Sequence, residues 1–379
     1  MDFKFSDEQK MLRESARSFL ETECSKTFVR EMEKDEKGYS PELWRKMADL
    51  GWMGIIFPES YGGIGGDFLD LIILLEEMGR ACLPGPFFST VVLGGLTILE
   101  AGKESQKKEL LPKIAGGELI LTLALTEPST TQYDPYWITV KAQLDRNDYL
   151  LEGIKLFVPD AHVADYLICA ARTKGELNSK SGITLFLVEA KRPGIKWEPL
   201  KTVARDKQCE VAFKKVKVPQ ENILGRLDEG AAQIEKIMQK AALAKCAEMI
   251  GGAHFVLDMC VSYAKEREQF GRPIGTFQAV QHHCANMLID LEGGRYITYK
   301  AGWMLSKEIA CTMQIAAAKA WVSEAYKRVV SLGHQIMAGT GYMEEHDMPL
   351  YSRRAKGAEF AWGDANFYKK VVAKELGLS

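Results

Sequence analysis

Three long helical patterns follow one another between residues 231 and 338. Apolar residues recur at helical spacing over 231–266, 278–307 and 312–338, and a shorter pattern covers 369–376. Glycines at 225 and 230 precede the first of these patterns. Four helices in this order predict a bundle, because such helices bury their apolar stripes against one another.

The rest of the chain has two different periods. Ser6-Asp7-Glu8-Gln9 is a capping box that begins a helix, and further helices are predicted at 41–50, 67–80 and 105–114. From about Leu119 short apolar runs separated by turn residues replace the helical spacing, and they predict antiparallel strands in a barrel or sandwich. These runs lie at 119–126, 149–153, 166–170, 183–188 and 209–213.

The order of these patterns predicts an α+β fold in three parts. We expect an N-terminal helical domain over residues 1–118, a middle β domain over 119–227 and a C-terminal helical bundle over 228–379. A chain of 379 residues is long enough for two or three separate cores.

Composition excludes several classes of function. With 49 basic and 51 acidic side chains, the formal net charge is −2, which favours neither nucleic acid nor an anionic membrane as a partner. No apolar run reaches the roughly 18 residues of a membrane span, and no signal peptide is visible. The eight cysteines are dispersed, as expected of reduced thiols in a cytoplasmic protein. The pair His282-His283 has no neighbouring ligands, so no metal site is expected.

The stretch YAKEREQFGRPIGTFQAVQH, residues 263–282, joins two of the long helices. Arg267 and Arg272 could hold a phosphate, and Phe270 could stack on a ring. A solvated helix end is the alternative interpretation.

A second stretch, EFAWGDANF at residues 359–367, places Trp362 and Asp364 around a glycine. If the turn borders an active site, the indole shapes a pocket and the carboxylate could move a proton. If it is a corner between helices, the indole is core and the carboxylate caps a helix.

The first stretch resembles the signature of the acyl-CoA dehydrogenase family. The YGGIGG loop at 61–66, the segment LTEP at 125–128 and QIMAGTGY at 335–342 occur in the family's order and spacing, so the resemblance covers the whole chain. It implies the same three-part fold, FAD as cofactor, an acyl-CoA substrate and an electron-transfer flavoprotein or similar acceptor. It also implies a tetramer, either of one chain or of two related chains.

The resemblance assigns cofactor contacts by position. It places Leu125 and Thr126 at the flavin ring edge and Phe157 over the ring. Arg267 and Phe270 would reach the diphosphate and adenine of a neighbouring subunit's FAD, since a guanidinium can bond two phosphate oxygens at once. The remaining contacts implied are Gln335, Gly339 and Asp364.

Two departures from relatives concern the cofactor. The family's GAGSD after TEP is replaced by Ser129-Thr130-Thr131-Gln132-Tyr133, so the diphosphate contact must come from other groups. Pro159 stands where many relatives have a threonine beside the flavin.

Further differences concern the substrate. Ala242 stands where several relatives have an arginine that helps to position CoA. The acyl pocket would use Phe88, Thr90 and Trp362, although each is equally plausible as a core residue.

Trp362 occupies the position at which relatives usually carry the catalytic glutamate. The alternative position for that acid, on the first bundle helix, falls near Ala241. The Trp362 backbone N–H remains able to polarise the thioester carbonyl. Other carboxylates that could act as base are Asp364, Asp134 and Glu248.

Three functions remain open from the sequence. The chain is an acyl-CoA dehydrogenase with a non-standard base, acting on a cyclic, unsaturated or branched acyl group. Alternatively, it is the base-less, FAD-binding subunit of a heteromeric acyl-CoA dehydrogenase. A flavin oxidase of the same fold is disfavoured, because Trp362 stands where nitroalkane oxidase has an aspartate.

Overall fold

The structure, a computed structural model, describes residues 5–128 and 136–378. Its α-helices are α1 (Asp7–Glu23), α2 (Lys26–Lys34), α3 (Pro41–Asp49), α4 (Phe68–Ala81), α5 (Leu96–Ala101), α6 (Glu104–Ala115), α7 (Gly230–Glu266), α8 (Gln278–Ser306), α9 (Thr312–Met337), α10 (Met348–Phe360) and α11 (Ala365–Glu375). A π-helical segment covers Phe88–Gly95. Within these described residues no helix is long and apolar enough to cross a membrane.

Capping residues fix where the early helices begin. The Ser6 hydroxyl accepts a hydrogen bond from the Gln9 amide, and the Gln9 side chain accepts one from the Ser6 amide, so the predicted capping box of α1 is confirmed. Asp67 caps α4 in the same reciprocal way with Asp70. These bonds satisfy amide groups that have no partner inside the helix.

Three helical segments escaped the sequence prediction. They are α2, the continuous stretch from Phe88 to Ala101, and α10. Phe88–Gly95 is almost wholly buried, so its apolar residues show no amphipathic stripe. Helix α10 contains the basic run Arg353-Arg354-Ala355-Lys356, which hides its apolar spacing.

Within residues 5–128 and 136–378, eight strands form one sheet. They are β1 (Leu121–Ala124), β2 (Lys141–Asp145), β3 (Asp148–Pro159), β4 (Tyr166–Arg172), β5 (Ile183–Glu189), β6 (Ile195–Leu200), β7 (Gln208–Pro219) and β8 (Ile223–Leu224). The order is β6-β7-β3-β2-β4-β5-β8, and β1 joins by pairing with β4. Most pairs are antiparallel as predicted, but β1 lies parallel to β4, and so does the single β2–β4 contact. The exception arises because β1 pairs with a strand more than 40 residues later rather than with its neighbour in sequence.

The described chain divides into two compact units. One comprises the described residues up to Glu31, Asp67–Leu83 and the described residues from Ala242 onward. The other comprises Met32–Gly66 and the described part of Pro84–Ala241. The first unit therefore joins α1 and α4 to the bundle helices, and the second contains the sheet.

A buried carboxylate binds the helices of the first unit together. Glu76 on α4 accepts a hydrogen bond of 2.5 Å from the Tyr299 hydroxyl and lies 3.4 Å from the Arg295 guanidinium. Burial alone would raise the pKa of Glu76, but bonds from His254 and Tyr299 and the charge of Arg295 lower it to about 2. The network holds α4, α7 and α8 in a fixed relation.

Candidate functional site

The turn between α10 and α11 has a strained backbone. Trp362 adopts a φ of 59°, a left-handed conformation that is unfavourable for a residue with a Cβ atom, and Gly363 follows with a φ of 102°. A Cβ atom at Gly363 would lie 2.7 Å from the Tyr368 ring. Only glycine fits there, and such strain concentrates at functional sites.

Two hydrogen bonds hold this turn from its C-terminal side. The Tyr368 hydroxyl donates to the Trp362 carbonyl oxygen at 2.8 Å. The Asp364 carboxylate accepts from the Phe367 amide at 2.7 Å and so forms the N-cap of α11. The cap predicted for Asp364 as one alternative is therefore present.

A buried lysine holds the turn from its N-terminal side. Lys319 on α9 donates to the Ser323 hydroxyl at 2.9 Å and to the carbonyl oxygens of Ala358 and Glu359 at 3.1 and 3.2 Å. These carbonyls belong to the last turn of α10, where helix carbonyls lack partners within the helix. Burial lowers the pKa of Lys319 to about 8, and the positive charge of Lys245 acts in the same direction.

The Trp362 indole is half-buried against small residues. It packs on a cluster formed by Ala242, Ala316, Ala320 and Tyr368. Ala242 is fully buried in this cluster. The helix corner that was one alternative for this stretch is therefore present, and the pocket wall stays a prediction.

The second unit brings the predicted flavin-edge residues together. Beyond β1, Leu125 and Glu127 are buried while Thr126 between them is exposed. The Leu156 amide of β3 donates to the Thr126 carbonyl oxygen at 2.8 Å. The LTEP segment and the residues before Phe157 therefore lie side by side.

Phe157 projects from a bulge in β3. Lys155 pairs with Val211 and Val158 with Cys209, so β3 carries one extra residue across this interval. Phe157 takes a φ of 52°, and 55% of its surface is exposed. An exposed ring on a bulge next to Thr126 fits a planar cofactor.

The two predicted acyl-pocket residues of the second unit differ in exposure. Thr90 is fully buried, and its hydroxyl accepts a hydrogen bond from the Leu121 amide at 3.3 Å. Phe88 is half-buried at the start of the π-helical segment. Thr90 thus supports β1, whereas Phe88 offers part of its ring.

The predicted adenine and diphosphate contacts lie on a short hairpin after α7. Strands β9 (Glu268–Gln269) and β10 (Arg272–Pro273) pair around Phe270 and Gly271, which both have positive φ. Phe270 is 92% exposed, and its ring lies 6.0 Å from that of Phe277 in an edge-to-face contact. Arg267 is also exposed.

The other predicted cofactor residues of the first unit lie at the end of α9. Gln335 is exposed, and a Cβ atom added at Gly339 would meet no atom within 4 Å. The four residues Arg267, Phe270, Gln335 and Gly339 therefore present free surface suited to a cofactor, although they come from two different segments.

The remaining candidate bases differ in their surroundings. Glu248 forms an ion pair with Lys245 on the same helix. Asp134 lies outside the described residues.

Sequence reasoning missed the residues that hold these segments in place. No sequence pattern assigned a role to Lys155, Lys319 or Tyr368, and Glu127 entered only as part of the LTEP segment. Lys155 and Lys319 are both fully buried. A lysine inside an apolar run was the available signal, because buried lysines need a specific partner.

Comparison with known proteins places the whole chain in one family. Three consecutive parts match models of the acyl-CoA dehydrogenase N-terminal domain (residues 6–118), middle domain (122–216) and C-terminal domain (228–377). The probable acyl-CoA dehydrogenase YngJ of Bacillus subtilis is 32% identical, over 99% of this chain and 100% of that protein. The caffeyl-CoA reductase-Etf complex subunit CarC of Acetobacterium woodii is 33% identical, over 98% and 99%.

A solved structure agrees with these relatives. That of butyryl-CoA dehydrogenase from Megasphaera elsdenii superposes with a TM-score of 0.92 at 30% identity, covering 99% of this chain and 100% of that one. The chain belongs to the acyl-CoA dehydrogenase family, whose members are FAD flavoproteins.

Proposed function

We propose that the chain dehydrogenates a cyclic, unsaturated or branched acyl-CoA with a non-standard base and passes the electrons to an electron-transfer flavoprotein. The observation that carries this proposal is the turn at Trp362. Its strained backbone is held by Tyr368 and Lys319, which is the arrangement expected if the Trp362 amide acts on the substrate. The side chain at that position is an indole instead of a carboxylate.

The backbone of the turn supplies the first part of the chemistry. The Trp362 N–H donates to the thioester carbonyl, which stabilises the negative charge that develops when the α-proton leaves. When bound, FAD would supply the acceptor for the hydride that leaves the β-carbon. Leu125, Thr126 and Phe157 would line the flavin ring. Arg267, Phe270, Gln335 and Gly339 would contact the FAD of a neighbouring subunit.

The base is the second part, and we propose Asp364. Its carboxylate lies two residues beyond Trp362 in the same turn. One oxygen caps α11, so the side chain has a fixed direction. Loss of a positioned base lowers rates by about 100- to 10,000-fold, so a substitute is needed for turnover.

The acyl group is inferred from the shape of the turn. The indole of Trp362 packs against Ala242, Ala316 and Ala320, where it forms a broad apolar wall. Such an apolar surface suits a ring or branched group better than a thin straight chain. The name of CarC, which specifies caffeyl-CoA, supports an aromatic or unsaturated acyl group.

The second candidate function is a base-less FAD-binding subunit. The observation that favours it is again Trp362, since a sister subunit could supply the missing glutamate. CarC is itself described as a subunit of a complex. In this case the chain would bind FAD and complete a heterotetramer without turnover of its own.

Anaerobic reduction of the flavin distinguishes the two functions. The purified chain is mixed with straight, branched, cyclic and aromatic acyl-CoAs, and the flavin absorbance is followed. Bleaching by a cyclic, aromatic or branched thioester supports the enzyme. If no thioester bleaches the flavin of the isolated chain but a sister subunit restores turnover, the base-less subunit is correct.

Two variants test Asp364 as the base. Asp364→Asn and Asp364→Ser both keep an oxygen that can cap α11, but neither carries a carboxylate. Both should retain FAD and lower the rate of flavin reduction by about 100-fold or more. Rates equal to those of the wild type would eliminate Asp364 as the base.

A further inference from the structure

Three consecutive residues after β1 are each held by a different bond. The Leu125 carbonyl oxygen accepts from the Lys155 ammonium at 3.1 Å, and the Thr126 carbonyl oxygen accepts from the Leu156 amide at 2.8 Å. The Glu127 carboxylate accepts from Lys155 at 2.6 Å. The segment therefore has a fixed backbone although it extends past the printed end of β1.

Lys155 and Glu127 form a fully buried ion pair. The side chains of both residues have no exposed surface. Glu127 also accepts from the Thr139 amide at 2.6 Å, from the Thr139 hydroxyl and from the Val140 amide at 3.2 Å. Every charge is thus satisfied, and the pair connects β3, the end of β1 and residues 139–140.

Stability alone does not explain such a pair. Removing two charges from water costs several kcal/mol for each ion, and packed apolar residues of similar size often stabilise a protein as well or better. The pair also fixes the position of the backbone around it, because its hydrogen bonds have defined lengths and directions. The geometry it fixes is that of Leu125 and Thr126 relative to β3.

The bulge in β3 begins directly after Lys155. Its extra residue turns Phe157 outward with a positive φ, at a cost that the surroundings must offset. Lys155 is therefore linked to Thr126 through the Leu125 carbonyl and to Phe157 through the backbone of β3.

We propose that Lys155 and Glu127 are positioning residues that set the separation and tilt between Thr126 and Phe157, and thereby the face on which the flavin ring rests. This inference depends on the proposed location of the flavin ring. Neither side chain touches the cofactor; they act through the backbone that does.

The test uses a charge-balanced double variant, Glu127→Gln with Lys155→Met. Gln keeps one oxygen, which can accept from the Thr139 amide, and Met fills the space of the lysine stem, so no lone charge is left buried. The Val140 amide loses its acceptor, which is a smaller change than an unpaired buried charge. Glu127→Asp is the second variant, because it keeps both charges and only draws the carboxylate back. The matched control is Asp148→Asn with Lys217→Met, which removes an ion pair between β3 and β7 whose lysine is exposed and whose aspartate is half-buried.

The readouts are taken on folded protein saturated with FAD. We expect the flavin's visible circular dichroism and reduction potential to change in the double variant, and the FAD dissociation constant to rise about tenfold, the loss expected for hydrogen bonds to a charged group. Glu127→Asp should change the same readouts by less, and the control should match the wild type. A merely stabilising pair would alter thermal unfolding but not the spectrum of bound flavin.

The inference is overturned if both variants bind FAD within twofold of the wild type with an unchanged flavin spectrum and potential. If the double variant does not fold, Glu127→Asp decides by the same criterion. Wild-type protein that retains no FAD would overturn the proposed function and this inference together. FAD binding without reduction by any thioester would count against turnover alone.

Discussion

Single side chains fix the backbone of the Trp362 turn. The Tyr368 hydroxyl bonds its carbonyl, the Lys319 ammonium bonds the end of α10, and Gly363 avoids a clash with the Tyr368 ring. Each contact restrains a conformation that Trp362 would not adopt unaided. The rate of the reaction should therefore respond to residues that never meet the substrate.

Tyr368→Phe tests the bond to the Trp362 carbonyl. We expect a loss of about 1 kcal/mol in stability and a fall in the rate of flavin reduction at saturating substrate. The control is Tyr351→Phe, which loses a similar bond from a tyrosine hydroxyl to the Arg80 carbonyl at 2.5 Å. Equal reduction rates in the two variants would show that the Tyr368 bond does not serve the turn.

Lys319→Met tests the buried cation through pH. Burial lowers the pKa of Lys319 to about 8 in the folded state, against the ordinary value of 10.5 for a lysine. Between about pH 8 and 10.5 the unfolded state therefore binds more protons than the folded state. Below pH 8 the buried charge lowers the free energy of unfolding by a constant amount. As the pH rises through this window the lysine loses its proton in the folded state, and this destabilisation disappears.

The measurement is the thermal unfolding midpoint of both proteins from about pH 7 to 10. The wild type should gain stability relative to Lys319→Met as pH rises above about 8. Subtracting the two curves removes the other titrating groups. Curves that run parallel across this range would contradict a lowered pKa.

The candidate site residues lie on three separate elements of the chain. The turn between α10 and α11 belongs to the first unit, and the segment beside the β3 bulge belongs to the second. The hairpin of β9 and β10 is a third element, and it exposes 92% of Phe270. A large ring so exposed contributes little to the stability of its own chain.

Phe270→Ala should therefore separate binding from stability. The midpoint of thermal unfolding of the cofactor-free protein should change by less than about 1 °C, since little apolar surface is lost from the core. FAD should bind more weakly, which equilibrium titration measures. Leu144→Ala, at a leucine with 58% exposure in β2, is the control. Unchanged FAD affinity in Phe270→Ala would remove the hairpin from the cofactor site.

At the scale of helices and strands, the sequence patterns predicted most elements but not the contacts between them. Helices α1, α4 and α7 to α9 follow from capping residues and apolar spacing, and the structure confirms them. The parallel pairing of β1 with β4 has no local signal, since it depends on residues far apart in sequence. The roles of Lys155 and Lys319 have no local signal for the same reason, because all their acceptors except Ser323 lie 28 to 40 residues away.

At the scale of the whole molecule, the predicted assembly and the cofactor should depend on one another. The resemblance places Arg267 and Phe270 on the FAD of a neighbouring subunit, and both are exposed in the single chain. A ligand held by two subunits stabilises their association by mass action.

Dilution should then release FAD as subunits separate, and added FAD should drive reassembly. Analytical ultracentrifugation recorded at a flavin wavelength follows both events in one experiment. The same run with Phe270→Ala should show dissociation at higher protein concentration. Separated single chains that keep FAD with undiminished affinity would contradict the shared site.

The parallel pairing of β1 with β4 also has a consequence for the order of folding during synthesis. Among the strands, β1 leaves the ribosome first, and its partner β4 follows more than 40 residues later. Strand β3, which carries Lys155, also leaves after β1. Contacts between distant residues form slowly, because the intervening loop must close first. With the flavin at the proposed position beside Leu125 and Thr126, we expect flavin insertion to follow the formation of the sheet rather than to guide it.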